Sequence, residues 1–280
     1  MLTSAMAFVL MQVAVRFTSK EISLMEQVFF RNLISVIISF IALRRKKLSL
    51  LGSRAHQPAL MARSIFGFLG IVLLFYATQY AKLADVNIFS RTSPIWGTIF
   101  AAVFLREKLL KIHILVTLMC LAGAYIAMQP TFESGVLPLL CALVSAMITG
   151  CIQVILSYLK NREDAFTVIF HFSLVSTVAA AICAFPFSFI MSLQDIVSLL
   201  FIGLFATVGQ FSMTMAFRLA DVSDIIIYDY AGIVFSAILG FFLFGESLSL
   251  STVIGGGLII TALLLPMFCD KNRKNRNREL

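Results

Sequence analysis

The sequence predicts an all-α integral membrane protein with ten transmembrane helices in two inverted five-helix repeats. Three observations carry that expectation. The 280-residue chain is 60% hydrophobic and 13% charged, with a mean hydropathy of +0.98. Soluble domains run at about 45–50% apolar and about 25% charged. Apolar stretches of about 20 residues, enough to cross a bilayer, recur along the whole length. Finally, residues 82–87, KLADVN, return at 218–223 as RLADVS, with further matches at the same offset.

Backbone groups in hydrocarbon must bond within their own segment, so each apolar run reads as a helix, and the alternation of barrel strands is absent. The runs are 2–17, 24–43, 59–81, 84–105, 109–128, 136–158, 165–190, 196–217, 222–244 and 249–269. The first begins at Met1 and is short. About sixteen residues reach about 24 Å against a hydrocarbon core of about 30 Å, so it either thins the bilayer or starts upstream. The second contains LISVIISFIAL and closes on RRKK at 44–47. The third ends where KLADVN opens the fourth, and FLREKL closes the fourth. The fifth runs toward Pro130. The sixth carries Ala142, Ala146 and Gly150 every four residues, a small-residue seam for a homodimer or for the bundle itself. The seventh holds His171, read as a packing histidine before a proton relay, and the eighth holds Gln210. RLADVS opens the ninth and LFGESL closes it. The tenth leads into a basic tail, 269–280.

Basic residues orient the chain. With the N-terminus in the cytoplasm, 17 of the 22 Lys and Arg fall on or just inside the cytoplasmic side, the tail included. Both termini are therefore expected inside. The net charge of +8 then reflects topology and anionic headgroups rather than nucleic acid. Five cysteines (Cys120, Cys141, Cys151, Cys183 and Cys269) lie within or at the ends of apolar runs without a C-x-x-C pair, so they read as packing residues. No metal or cofactor is expected.

At the offset of 136, Gly67 pairs with Gly203, Val72 with Val208, Phe75 with Phe211, Thr78 with Thr214 and Pro130 with Pro266. Glu107 and Glu246 are 139 apart. Two halves follow, 1–133 and 134–268. Five helices is an odd number, so the second half is inverted, a recurrent transporter architecture with the site near the midplane.

With FFRNLIS in the second span, SRTSP followed by FLREKL, and FSAILGFFLFGESLS in the second half, the chain resembles the drug/metabolite transporter superfamily, specifically its EamA-like ten-helix members. MARSIFGFLG, SRTSP and YDYAGIVFSA are most similar to the group that includes bacterial S-adenosylmethionine uptake carriers. The resemblance marks Arg31 as characteristic, with a structural or gating role. It also implies a proline in the ninth helix, where this chain has Ile233, while Pro94 is kept in the fourth. Two symmetric broken helices are therefore not assured.

Charges at bilayer depth are costly and usually face a cavity or a partner. Asn87, Arg91, Pro94 and Thr98 are spaced four, three and four, on one face of a helix that Pro94 is expected to kink. Pro94 has no N–H, so the Ser90 carbonyl is freed beside Arg91, a docking point for a carboxylate. The plainer alternative ties Arg91 to Glu26. Asp229, between Tyr228 and Tyr230, is the near-equivalent in the ninth helix. Depth counted along straight helices separates it from Arg91 by about 12 Å. The two would then bracket a substrate rather than pair, with Asp229 taking an amine, a sulfonium or a proton. The alternative for Asp229 is an ion pair with Arg63. Gln153 and Gln210 line the pathway or bond between helices. Glu107 and Glu246 sit at helix ends, solvated, paired or gating.

The functional expectation is a secondary transporter for a small polar metabolite, such as an amino-acid derivative like S-adenosylmethionine. Its partners are that solute and the bilayer of a bacterial inner membrane. Export of drugs or other metabolites is the alternative. No P-loop, G-x-S-x-G or H-E-x-x-H is present, and filter-type repeats are missing, so an ATP-driven pump, a membrane enzyme or a channel ranks far lower.

Overall fold

The computed structural model describes residues 1–19, 22–131, 133, 135–184, 192–245 and 249–276, and the described residues contain helices and no strand. Among the described residues, eight helical stretches are long and apolar enough to cross a membrane, and Leu2–Arg16 and Leu250–Pro266 are shorter apolar helices. The chain is a multi-pass α-helical membrane protein.

Helices α1 (Leu2–Arg16), α2 (Leu24–Lys46) and α3 (Gln57–Tyr80) match the first three predicted runs. Helix α2 starts sharply because Ser23 and Glu26 form a reciprocal capping box. Glu26 N donates to Ser23 Oγ at 3.2 Å, and Ser23 N donates to Glu26 Oε2 at 2.7 Å. It stops at Lys47, whose φ of 54° leaves the helical region immediately after the basic run. The fifth and sixth runs are α6 (Lys111–Met128) and α7 (Val136–Tyr158). The seventh and eighth are α8 (Ala165–Ala184) and α9 (Leu193–Leu219), and the stretch expected to extend the seventh to 190 lies outside the described residues. Helix α12 (Leu250–Arg276) continues through the first part of the basic tail without a break.

The fourth and ninth runs are not continuous helices. The fourth is α4 (Leu83–Ser90), a turn at Arg91–Thr92, α5 (Ser93–Phe100) and a π-helical turn over Ala101–Leu105. Pro94 sits in the first turn of α5, where its missing N–H costs nothing. The ninth is α10 (Val222–Ile225), a 3-10 stretch over Ile226–Tyr230, and α11 (Ala231–Phe244). That interruption occurs although Ile233 replaces the expected proline, so the break does not depend on one.

Packing joins helices that are distant in sequence. Helix α2 lies along α8 and α9, α1 along α9 and α11, α3 along α7 and α8, α5 along α7, and α6 along α12. The small-residue stripe of α7 is a seam inside the chain. Ala142 and Ala146 are fully buried. A Cβ on Gly150 would lie 2.7 Å from the Gly97 nitrogen. Ser145 Oγ donates to the Gly70 carbonyl at 2.8 Å, pinning α7 to α3. Gly123 and Gly255 similarly leave no room for a Cβ between α6 and α12.

The repeated hexapeptides occupy different settings. Asp85 is fully buried and accepts from the Thr131 amide at 2.7 Å. Lys82, exposed beside it, is bonded to Glu133, and that bond raises the Lys82 pKa above its usual value. Asp221 is the N-terminal flank of α10 but makes no side-chain cap, and its carboxylate lies 3.6 Å from Lys160 Nζ.

Candidate functional site

One concavity, about 690 Å³ between α1 and α9, is lined almost wholly by apolar side chains such as Leu10, Val13, Phe201 and Phe205. That lining suits a lipid-facing groove. Another, about 310 Å³, lies midway along α3 and α7, and several charged and polar side chains are set into its largely apolar lining. Its walls carry Arg31, Arg63, Ser145, Thr149, Gln153, Phe172, Gln210 and Asp229, with Gly67 and Gly70 on the α3 side. Small-molecule sites combine an enclosed volume of this order with a few convergent polar groups, so this cavity is the candidate site.

Arg63 anchors one wall. It is 3% exposed, stacks its guanidinium over Phe172 at 4.1 Å, and donates Nη2–H to Gln210 Oε1 at 3.1 Å. The close approach needs a glycine, because a Cβ on Gly67 would fall 2.5 Å from Arg63 Nη1 and 2.5 Å from the Phe172 ring. Arg31 faces the same space from α2. His171, beneath this wall, shares a hydrogen bond of 2.9 Å with Ser64, as a packing histidine would.

The two interrupted helices meet at the far side. In the turn after α4, Ile95 N bonds back to Thr92 O and Thr92 Oγ1 donates to Phe89 O at 2.6 Å. Ile95 therefore does not close the usual i→i−4 bond onto Arg91. The Arg91 carbonyl instead accepts the Tyr230 hydroxyl at 2.7 Å. Arg91 Nη1 lies 3.8 Å from Asp229 Oδ2 and 3.5 Å from the Asp229 carbonyl.

Several sequence expectations change here. Arg91 and Asp229 pair directly, where straight-helix depth had set them about 12 Å apart. Both helices break at these residues, and a guanidinium reaches several ångströms beyond its backbone. Asp229, not Glu26, is the carboxylate facing Arg91, and Glu26 caps α2. Asn87 is exposed and outside the cavity. The turn at Arg91–Thr92 interrupts the face it was to share with Pro94 and Thr98, both of which are buried. Arg91 borders the site without lining it, Tyr230 is fully buried as a brace, and Tyr228 packs against the core near it. Gln153, Gln210, Arg31 and Asp229 do converge on the cavity. Arg63, Ser145, Thr149 and Phe172 were not picked out as site residues. Only the intramembrane charge of Arg63 could have signalled its place.

Glu107 is a cap. Its carboxylate accepts Val222 N at 3.0 Å, Ser223 N at 3.1 Å and Ser223 Oγ at 2.9 Å, holding the start of α10. Close by, His113 Nε2 is 2.8 Å from Asp224 Oδ1. Glu246 lies outside the described residues.

A cavity midway along several apolar helices, with charged and polar side chains in its wall and two interrupted helices beside it, belongs to a multi-pass membrane protein. The EamA-like transporter family profile matches residues 1–129 and again 136–268. The chain belongs to the EamA-like transporter family. It is 29% identical to the pseudopaline exporter CntI of Pseudomonas aeruginosa, over 93% of this chain and 92% of that one. It is 24% identical to the S-adenosylmethionine uptake transporter of Rickettsia bellii, over 90% and 86%. A solved crystal structure superposes with a TM-score of 0.84 at 17% identity, covering 96% of each chain, which shows a shared fold.

Proposed function

We propose that the protein is a secondary transporter of a small polar metabolite, of the amino-acid-derivative kind to which S-adenosylmethionine belongs. It works across the bacterial inner membrane by alternating access. The observation that carries this reading is the cavity of about 310 Å³ midway along α3 and α7, where Arg31, Arg63, Gln153, Gln210 and Asp229 converge. Polar and charged groups at that depth are expensive unless they meet a partner, and a transported solute is such a partner.

The packing supports ten spans in two inverted repeats. Number the spans in order and exchange each with the one five places on. The α1–α9 contact then becomes α7–α3, α2–α9 becomes α8–α3, and α5–α7 becomes α11–α1, while α2–α8 and α6–α12 map onto themselves. The two family matches, 1–129 and 136–268, fall on either side of the expected division near 133. Rocking one half against the other would open the cavity to each side in turn. The bias of basic residues supports cytoplasmic termini. With no phosphate-binding loop in the sequence, coupling would come from protons, exchange or the solute gradient.

Export is the second reading, favoured by the 29% identity to the pseudopaline exporter along nearly the whole chain. Purified protein in proteoliposomes, offered labelled amino-acid derivatives, nucleosides and vitamins on either side, tests both readings. Saturable movement of an unmodified solute is expected, and its preferred direction separates uptake from export. A metabolite chemically altered without crossing the bilayer would overturn the transporter reading.

A further inference from the structure

Arg31 and Arg63 bring two cations into one cavity. Their mutual repulsion is unfavourable in a low-dielectric space. Among the described residues neither has a carboxylate within ion-pair distance. The only carboxylate lining the cavity among those residues, Asp229, faces Arg91. The guanidinium of Arg63 is partly used, its face by Phe172 and Nη2 by Gln210. Its Nε and Nη1, and the Nε of Arg31, are buried donors without acceptors. A buried donor left unmade is expensive, and a buried cation without an anion more so. Gln153 lines another part of the cavity with its Oε1 a buried acceptor without a donor, packed close against Gly97, and the Asp229 carboxylate adds a negative charge.

We infer that Arg31 and Arg63 form a carboxylate subsite, and that the solute is an aminocarboxylate whose amino group turns toward Gln153 and Asp229. This rests on the transport reading above and deepens it by assigning the solute's two ends. A planar guanidinium edge presents paired N–H donors that match the two oxygens of a carboxylate. Two such edges around one anion relieve the repulsion between them. The ammonium end accounts for acceptors that a simple anion would leave unmade. The subsite moves the carboxylate away from Arg91, whose guanidinium and carbonyl are occupied by Asp229 and Tyr230.

The test is ligand-induced thermal stabilisation of the full chain in detergent, at constant ionic strength. The probes are glutamate, methionine, histidine and S-adenosylmethionine, set against methioninamide, histidinamide and inorganic phosphate. At least one aminocarboxylate is expected to raise the unfolding midpoint saturably, and amidation of its carboxyl group should abolish the effect. Arg31→Gln and Arg63→Gln should each weaken binding roughly ten- to hundredfold, the loss expected for one charge-assisted hydrogen bond. Arg63→Lys keeps the charge and serves if the glutamine variant does not fold, with intermediate binding expected. The inference is overturned if no aminocarboxylate stabilises the protein, if amides or phosphate alone do so, or if the variants bind as well as the parent. The two readings separate in proteoliposomes. Transport of a solute without a carboxylate leaves the transporter standing and removes the subsite. Carboxylate-dependent binding with no solute crossing does the reverse.

Discussion

Tyr230 donates its hydroxyl to the backbone carbonyl of Arg91 at 2.7 Å, so the interruption in one membrane helix is closed by a side chain from the interruption in another. Within a membrane-spanning segment, irregular backbone is tolerated where protein or a water-filled cavity satisfies its polar groups, and here a protein hydroxyl does so. The bond therefore explains how both breaks are tolerated, and why they occur face to face.

Replacing Tyr230 with Phe removes that donor while keeping the ring, which is fully buried. The orphaned carbonyl should cost about 1–3 kcal/mol. A lower thermal midpoint in detergent, with unchanged helical content by circular dichroism, is the expected outcome. An unshifted midpoint would mean that another group satisfies the Arg91 carbonyl.

The span positions were legible because bilayer thickness imposes a minimum apolar length. The sixth run is recovered residue for residue as Val136–Tyr158. The Arg91–Asp229 pair was not legible. Depth was counted at 1.5 Å per residue along straight helices, and both helices break at the residues being measured. Asn87 was misplaced for the same reason, since the i, i+4 face it was to share ends at Ser90. The placement of Arg63 in the cavity wall depends on Gly67, Phe172 and Gln210, three residues on three helices. Periodicity within one segment carries no information about such a meeting.

Arg91 and Asp229 should behave as a coupled pair. Asp229→Asn leaves Arg91 without its anion, and Arg91→Gln leaves the carboxylate without its cation. Each is expected to lower transport in proteoliposomes at least about tenfold. Combining them should cost less than the sum, with a coupling of about 0.5–3 kcal/mol in a double-mutant stability cycle. Strict additivity would show that the contact at 3.8 Å carries no energy.

Close packing between α5 and α7 makes a contrasting pair of glycine substitutions informative. A Cβ on Gly150 would meet the Gly97 nitrogen at 2.7 Å and the Trp96 carbonyl carbon at 2.9 Å, whereas one on Gly256 would meet nothing within 4 Å. Gly150→Val should therefore destabilise by about 1–3 kcal/mol or more through overpacking. Gly256→Ala should be neutral or slightly stabilising, since alanine is the better helix former. Equal thermal midpoints for the two variants would contradict the seam.

Helix α10 is four residues long, too short to hold itself, because nucleating a turn fixes several dihedrals for one hydrogen bond. Glu107 replaces what length cannot supply by accepting two backbone amides and the Ser223 hydroxyl, each at 2.9–3.1 Å. Asp221, the residue that would ordinarily cap this turn, makes no such bond. The restraint on the start of α10 thus comes from Glu107, just past the π-helical turn that follows α5. Glu107→Ala should speed hydrogen–deuterium exchange of the amides at 222–226 by about ten- to hundredfold, the factor that corresponds to about 1.4–2.8 kcal/mol. Glu107→Gln, which keeps one acceptor but loses the charge, should fall between the alanine variant and the parent. Lys108→Ala, an exposed neighbour, should leave exchange unchanged. If protection at 222–226 survives Glu107→Ala, the cap is not what orders α10, and the 3-10 stretch behind it must hold the segment on its own.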